Sequence, residues 1–490
     1  MTNPRTPVAP LGALAAALLL LAAAPALAQS PAPVRPAGTP CHVPGVTDRA
    51  ACHTITVPLD RTDPGNGRTV ELHVAVLPAR APKPAESALF LLAGGPGQAA
   101  TEYGALVSRF LEGVRETRDI VLMDQRGTGR SGGLSCALVS GFEDAVSADA
   151  LPRAIERCRA DWNADLTAFD TLAVVEDVEH VRRTLGYPSL DLWGGSWGTR
   201  TALLYMRTHP SSVRSAVLDG VTPPHRRLLA DEPGFSQAAL DATFKACAED
   251  AACAAAFPDL EKRFADWLRG FEAPRAFDII RPDTGRPGTL TLERDPIAQV
   301  IRGALYSPGT AAQLPFAIDR MMAGDATALV TLGFNGMGLA ESMYIGATLS
   351  SLCREEVQRT PSAPLGGPAG GSFTGTSWHT GWVEACRDIA VRPLPDGYDA
   401  PVTVDVPVLI LSGALDPITP PAYGEEALKH LPRAWHIVAP AAGHNVTVAR
   451  CADDIVADFI RAADGAALDA SCLEEQRRPP FAVGPAGPKP

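Results

Sequence analysis

Beyond its first 28 residues the chain has no run approaching 18 consecutive apolar residues, so nothing there reads as a membrane-spanning helix. It also lacks any excess of positive charge. A formal net charge of -12 argues against nucleic acid and anionic membrane surfaces as partners, while saying little about a small substrate. No Cys-x-x-Cys pair and no His/Cys cluster has metal-ligand spacing, so neither a metal nor another cofactor is called for. The absence of an internal repeat removes the solenoid and propeller architectures.

What is present is a chain of 490 residues, 46% apolar, long enough to bury a large core. Residues 1–28 read as a signal peptide. Arg5 supplies the positive segment, Leu11 to Ala24 the apolar one, and Ala26-Leu27-Ala28 a small-x-small cleavage site before Gln29. The protein is therefore expected to be exported, to the periplasm or the medium, with no stable membrane anchor. All ten cysteines follow that segment, and an even count in an exported chain favours disulfides. Proximity suggests Cys41 with Cys52, Cys136 with Cys158, Cys247 with Cys253, Cys353 with Cys386 and Cys451 with Cys472, although spacing alone does not fix the connectivity.

Residues 29–40, rich in Pro, Ala and Gly, are expected to be disordered. Strand patterns follow at His53 to Leu59, Thr69 to Leu77, Ala88 to Leu92, Asp119 to Met123, Leu190 to Trp193 and Val213 to Leu218, with a helical pattern over Thr171 to Leu185. Buried strands alternating with helices predict a mainly parallel sheet flanked by helices, with functional residues at the carboxyl ends of its strands. Glycine-rich loops fall at several of those ends: Gly94-Gly95-Pro96-Gly97, Gly127-Thr128-Gly129 and Gly194-Gly195-Ser196-Trp197-Gly198. From about 223 to 399 the pattern turns mostly helical and reads as an inserted cap, with a flexible stretch at Pro361 to Gly371. Strand character returns at Val406 to Leu411, so the core is assigned to 41–222 plus 400–475. The Pro/Gly-rich 476–490 is expected to be a disordered tail.

Ser196 stands in Gly-x-Ser-x-Gly between a strand and a helical run, where a sharp turn lifts a serine hydroxyl above the sheet edge. A serine needs a base, and the base needs a carboxylate that holds its tautomer. His444, in a Gly-His loop after the last expected strand, is the candidate base, and His436 reads as packing. Asp416, after the preceding strand, is the preferred acid, with Asp219 as its rival at the same edge. The oxyanion of the tetrahedral intermediate needs two N–H donors. Trp197, at the start of the helix, and Gly95 are the candidates, since Pro96 has no N–H.

Together, Gly94-Gly95-Pro96-Gly97, Asp124-Gln125-Arg126-Gly127-x-Gly129-x-Ser131, Gly194-Gly195-Ser196-Trp197-Gly198, Val57-Pro58-Leu59-Asp60 and the late Asp416 and His444 resemble the prolyl and tripeptidyl aminopeptidase family of α/β-hydrolases. The resemblance covers the whole chain after the expected signal peptide, including Cys451 to Cys472 in the C-terminal part typical of the tripeptidyl-aminopeptidase-like exported members. It implies an α/β-hydrolase fold and an exported serine exopeptidase that releases N-terminal residues or short peptides through an acyl-enzyme. The implied substrates are peptides with a free N-terminus. Arg126 is expected to anchor its loop. Ala93 departs from the pattern, because the family usually carries His before Gly-Gly-Pro-Gly. An aminopeptidase must recognise an ammonium group, which a carboxylate in a partly dry pocket does best. Glu355 and Glu356, after Cys353, are the candidates, with Glu384 behind them. Two other readings use the same residues: a carboxylesterase or other acyl hydrolase with this triad, and a non-catalytic binding protein on the same scaffold.

Overall fold

The computed structural model describes residues 36–137, 150–162, 164–360 and 371–488. The expected signal peptide, residues 29–35 and the stretch 361–370 lie outside the described residues. In chain order the strands of the main sheet are β1 (Thr39–Cys41), β2 (Ala50–Pro58), β3 (Thr69–Leu77), β4 (Ala88–Leu92), β5 (Ile120–Met123), β6 (Leu190–Gly195) and β7 (Val213–Asp219). A hairpin, β8 (Arg275–Ile280) and β9 (Pro287–Leu292), stands apart. The main sheet then resumes with β10 (Val408–Gly413) and β11 (Ala434–Ala439). The helices that bear on the site are α1 (Thr171–Thr184), α2 (Trp197–Thr208), α3 (Leu228–Glu249), α4 (Arg294–Ala304), α5 (Ile345–Glu355), α6 (Ser377–Cys386), α7 (Pro421–Leu428) and α8 (Ala452–Ala462).

The sheet order is β1-β2-β3-β5-β4-β6-β7-β10-β11. β1, β2 and β3 are antiparallel, and everything from β5 onward is parallel. The parallel strands β4, β5, β6 and β10 are buried along their whole length because helices cover both faces, which is why they read as continuous apolar runs rather than alternating ones. On one face Phe90, Leu92, Leu192 and Ile410 pack with residues of α1, α2 and α7; on the other Leu89, Leu91, Val217 and Leu409 pack with α8 and the segment around Val107 to Val114. Each such side chain contributes about 1.5–3 kcal/mol on burial. Asp191 is the charged exception in β6, and its carboxylate is held by Arg118, Arg214, Ser87 and Ser215.

The register lines up the carboxyl ends. Leu92 pairs with Gly194, Gly195 with Asp219, Asp219 with Leu411, and Gly413 with Ala439. The segments that follow these five strands therefore open at one edge of the sheet, the geometry in which parallel sheets hold ligands.

Between β7 and β10 the regular elements among the described residues are helices apart from the β8–β9 hairpin, and the region has its own apolar cluster, in which Leu240, Phe264, Phe277, Ile301 and Leu314 are buried. Tyr398 leaves that region to join the core cluster beneath the sheet. The five cysteine pairs suggested by proximity are disulfide-bonded, with Cα–Cα separations of 5.2 to 6.5 Å.

Two expectations of disorder are corrected. Thr39 to Cys41 pair with Ala50 to Cys52 as the edge of the sheet. In the tail, Phe481 is only 5% exposed within the cluster of the inserted region, and the Ala482 N–H donates to the Ala312 carbonyl at 3.0 Å. Pro/Gly-rich composition gives no local reason for order; the first segment is anchored by pairing with the next strand, and the tail by residues far away in the chain.

Candidate active site

β6 ends at Gly195 and α2 begins at Trp197, so the chain turns on Ser196 alone. Its backbone, at φ 54° and ψ -122°, lies in a region L-residues rarely adopt. The flanking glycines make the turn possible. A Cβ on Gly194 would stand 2.6 Å from the Gly198 carbonyl oxygen, and one on Gly198 only 2.0 Å from that of Leu92. From Leu190 to Met206 every residue except Ser196 is buried. The turn thus presents one small polar side chain at the sheet edge and hides everything around it.

Three loops converge there. After β7, the Asp219 carbonyl accepts the Ser196 N–H at 2.9 Å and the Asn445 side-chain amide at 3.0 Å. The Asp219 carboxylate accepts the N–H groups of Val446 and Thr447 at 2.6 and 2.8 Å. One residue therefore ties the serine turn to the loop carrying His444. A Cβ on the next residue, Gly220, would lie 3.3 Å from His444 Cε1. After β10, Asp416 is buried and its Oδ2 meets His444 Nδ1 at 2.8 Å. Its Oδ1 accepts the N–H groups of Ile418 and Thr419 at 2.8 and 2.9 Å. Between the two acidic residues the structure is unambiguous about the partner: Asp416 holds the imidazole, and the Asp219 side chain is occupied by backbone.

The electrostatics follow from this pairing. Burial works against a charged imidazole, but the Asp416 carboxylate and its hydrogen bond outweigh it and hold His444 above the usual histidine range. Burial pushes Asp416 up, yet the His444 charge and the backbone donors pull it below the ordinary carboxylate value. For Asp219, burial wins and raises it. A carboxylate–imidazole pair of this kind can take the proton of a serine hydroxyl that meets it and stabilise the resulting imidazolium.

The glycine loop after β4 lies against the serine turn. A Cβ on Gly94 would stand 2.9 Å from the Gly195 carbonyl oxygen and 3.2 Å from Ser196 Cβ. Gly95 has φ 109°, a conformation that demands glycine, and its peptide bond to Pro96 is cis. Gln125 Nε2 donates to the Ala93 carbonyl at 3.0 Å and holds the loop from behind. Trp197 is the first residue of α2, where backbone N–H groups have no partner within the helix. Arg126 is fully buried and spends its guanidinium on Asp177 and on the carbonyls of Leu59 and Ala168, an anchor for its loop. His436 bonds the buried Ser412 hydroxyl at 2.9 Å, away from this pair.

Glu355 and Glu356 require correction as substrate-binding residues. Both are 0% exposed and engaged within the protein. Glu355 accepts from the Thr171 N–H at 3.0 Å and the Tyr398 hydroxyl at 2.5 Å. Glu356 accepts from Arg200 at 2.5 Å and from the Leu229 N–H at 3.3 Å. An acidic pair after a cysteine looks like a solvated turn in one dimension; here it ends α5 inside the protein, against α1 and α2. Glu384 is paired with the neighbouring Arg387 at the surface.

Residues not singled out from the sequence also belong to the site. Thr419 Oγ1 donates to Asp416 Oδ2 at 2.8 Å and lies 3.2 Å from His444 Nδ1; the Asp-x-x-Thr spacing after β10 was the available signal. Tyr306, just after α4, accepts the His444 N–H on its carbonyl at 2.9 Å and sets its ring edge-on to the imidazole, with centroids 5.2 Å apart. Glu232, on α3, is 1% exposed. Its Oε1 accepts from Ser236 at 2.6 Å and stands 3.9 Å from Arg302 Nε, whereas its Oε2 has no hydrogen-bond partner among the described residues. Ser236 in turn approaches the Pro417 carbonyl at 3.4 Å, which puts Glu232 beside the Asp416 loop. No local pattern marks Tyr306 or Glu232.

Residues 87–271 match a family model described as the alpha/beta hydrolase fold, and residues 371–472 match one described as TAP-like protein. The chain is 30% identical over 180 residues to a putative hydrolase, YuaR, of Escherichia coli, covering 35% of this chain and 36% of that protein. It is 34% identical over 102 residues to a proline iminopeptidase of Neisseria gonorrhoeae, covering 21% and 24%. It is 28% identical over 193 residues to a tripeptidyl aminopeptidase of Streptomyces lividans, covering 36% of each. The chain thus spans about a third or less of the length of these relatives. By its sheet, its serine turn and these matches, the chain has the α/β-hydrolase fold, and its residues 371–472 are similar to TAP-like protein.

Proposed function

We propose that this protein is an exported serine exopeptidase that removes N-terminal residues or short peptides from peptides with a free amino terminus. The observation that carries the reading is the Asp416–His444 pair at 2.8 Å beside the strained turn of Ser196. Ser196 Oγ attacks the scissile carbonyl carbon while His444 takes its proton, and Asp416 holds the imidazole by Nδ1. The N–H groups of Trp197 and Gly95 stabilise the oxyanion. His444 then gives its proton to the leaving amine, and water activated by the same imidazole releases the acyl group.

The similarity to proline iminopeptidases and a tripeptidyl aminopeptidase supports a peptide substrate. Five disulfides support export, and among the described residues no helix is long and apolar enough to cross a membrane. With Glu355 and Glu356 engaged elsewhere, Glu232 is the acceptor best suited to the ammonium group, since its Oε2 is buried and unmatched near the Asp416 loop.

The test is a panel of aminoacyl and tripeptidyl arylamides, each paired with its N-acetylated twin. The free amines should be hydrolysed and the blocked twins should not. Equal rates for both would remove the exopeptidase claim, and efficient turnover of p-nitrophenyl esters with none of the amides would favour an acyl hydrolase instead.

A further inference from the structure

The buried acidic pair has a more specific job than neutralising nearby arginines. Trp197 is 2% exposed, and its indole is fixed in two ways. At its edge, Nε1 donates to Thr171 Oγ1 at 2.9 Å, and Glu355 Oε1 accepts the Thr171 N–H at 3.0 Å. Over its face, the Arg200 guanidinium stands 4.1 Å from the ring centroid, and Glu356 Oε1 accepts from Arg200 Nη1 at 2.5 Å. The two carboxylates, adjacent in sequence, thus reach the same ring by separate routes.

Both carboxylates have further partners within the protein. The Tyr398 hydroxyl donates to Glu355 at 2.5 Å, and Arg359 approaches Glu356 at 3.5 Å. Arg200 and Glu356 have fully buried side chains. Burial works against the Arg200 charge, but Glu356 and its neighbours outweigh that and hold the guanidinium above its ordinary value. Burial raises Glu355, with Arg200 pulling the other way. The Cys353–Cys386 disulfide, close before the pair, ties the end of α5 to α6.

A ring pinned at edge and face has fixed χ1 and χ2, and those angles constrain the backbone of residue 197. That backbone carries an N–H directly after Ser196, whose φ of 54° is a strained conformation. Such a conformation persists only where the surroundings over-determine it. From this geometry we infer that Glu355 and Glu356 are positioning residues: acting through Thr171 and Arg200, they clamp the Trp197 indole and so hold the backbone N–H that stabilises the oxyanion. Because both carboxylates belong to the segment inserted between β7 and β10, the insertion preorganises the catalytic turn as well as covering it. The inference rests on the reading of Trp197 as an oxyanion donor.

The experiment measures kcat and KM for an unblocked peptide arylamide and for p-nitrophenyl acetate in wild type, T171V, T171S and E356Q, with thermal unfolding of each. T171V removes the acceptor of the indole N–H at nearly constant volume, and T171S restores it. T171V and E356Q should lower kcat on both substrates by a similar factor, about 10- to 100-fold given that a displacement of about 1 Å costs on that order. KM should stay within about twofold, because an oxyanion contact is made in the transition state, and T171S should recover most of the loss. A rise in KM for the peptide alone, with the ester untouched, would return the pair to substrate recognition and overturn the inference. Wild-type kinetics in a folded T171V would overturn it too, and that variant decides the matter if E356Q fails to fold. Failure of a fluorophosphonate to label Ser196 in wild type would instead sink the parent reading of a serine hydrolase.

Discussion

At the scale of single residues, the contrast between Asp219 and Asp416 shows how position outweighs type. Both are aspartates at the ends of neighbouring strands, both are buried, and both lie within the electrostatic reach of His444. Asp416 gives one oxygen to the imidazole and the other to two backbone N–H groups, while Asp219 gives both of its oxygens to the backbone of Val446 and Thr447. D416N should therefore lower kcat by about 10,000-fold, the scale set by losing the correct tautomer in a serine triad. D219N should act mainly by loosening the His444 loop. The pH dependence carries the same signature. The base must be neutral to accept the Ser196 proton, and its folded pKa is raised, so kcat/KM should climb with pH through a midpoint above the ordinary histidine value of about 6.5. A pH–rate profile of an unblocked arylamide measures it, and a midpoint below that value would contradict the Asp416–His444 pairing.

At the scale of elements, the serine turn depends on what cannot be accommodated beside it. β6 and α2 meet so tightly that Gly198 has the Leu92 carbonyl 2.0 Å from where a Cβ would be. The obstacle is backbone of β4, which cannot move aside as a side chain could. G198A should lower stability by at least about 2–3 kcal/mol, the scale of overpacking in a rigid setting, and urea unfolding of the variant checks it. Wild-type stability would mean that α2 packs less closely against β4 than this contact requires. The helices and central strands were legible from their apolar patterns, because a buried parallel strand leaves an unbroken run and a covering helix leaves a striped one. The short β1 edge and the β8–β9 hairpin left too little local pattern to be distinguished from loop.

At the scale of the whole molecule, the C-terminal segment closes onto the inserted region. Phe481 fills a cluster with residues of that region, and Ala482 adds a backbone hydrogen bond to Ala312. F481A should cost about 3–5 kcal/mol locally, seen as a lower unfolding temperature and as faster proteolysis between β7 and β10. No change in either would mean the tail contributes nothing to that cluster.

Taken alone, the sequence determined the layout of this protein. It pointed to a mainly parallel sheet with loops at one edge, put Ser196, Asp416 and His444 on three of those loops, and suggested cysteine pairs by nearness without fixing them. These are local signals, each carried by a few adjacent residues whose periodicity or glycine spacing has one economical physical cause. Tertiary structure decided the rest: that Asp416 rather than Asp219 takes the imidazole, that Thr419 and Tyr306 support it, and that Glu355 and Glu356 are enclosed beneath Trp197 while Glu232 stands by the site. Whether a carboxylate meets solvent, an arginine or an N–H depends on partners such as His444, 28 residues from Asp416, and Thr171, 184 residues from Glu355. No pattern within the carboxylate's own segment encodes that choice, because the same side chain at the same helix end is stable in water or in a buried ion pair, and only the packing of the other elements selects between them.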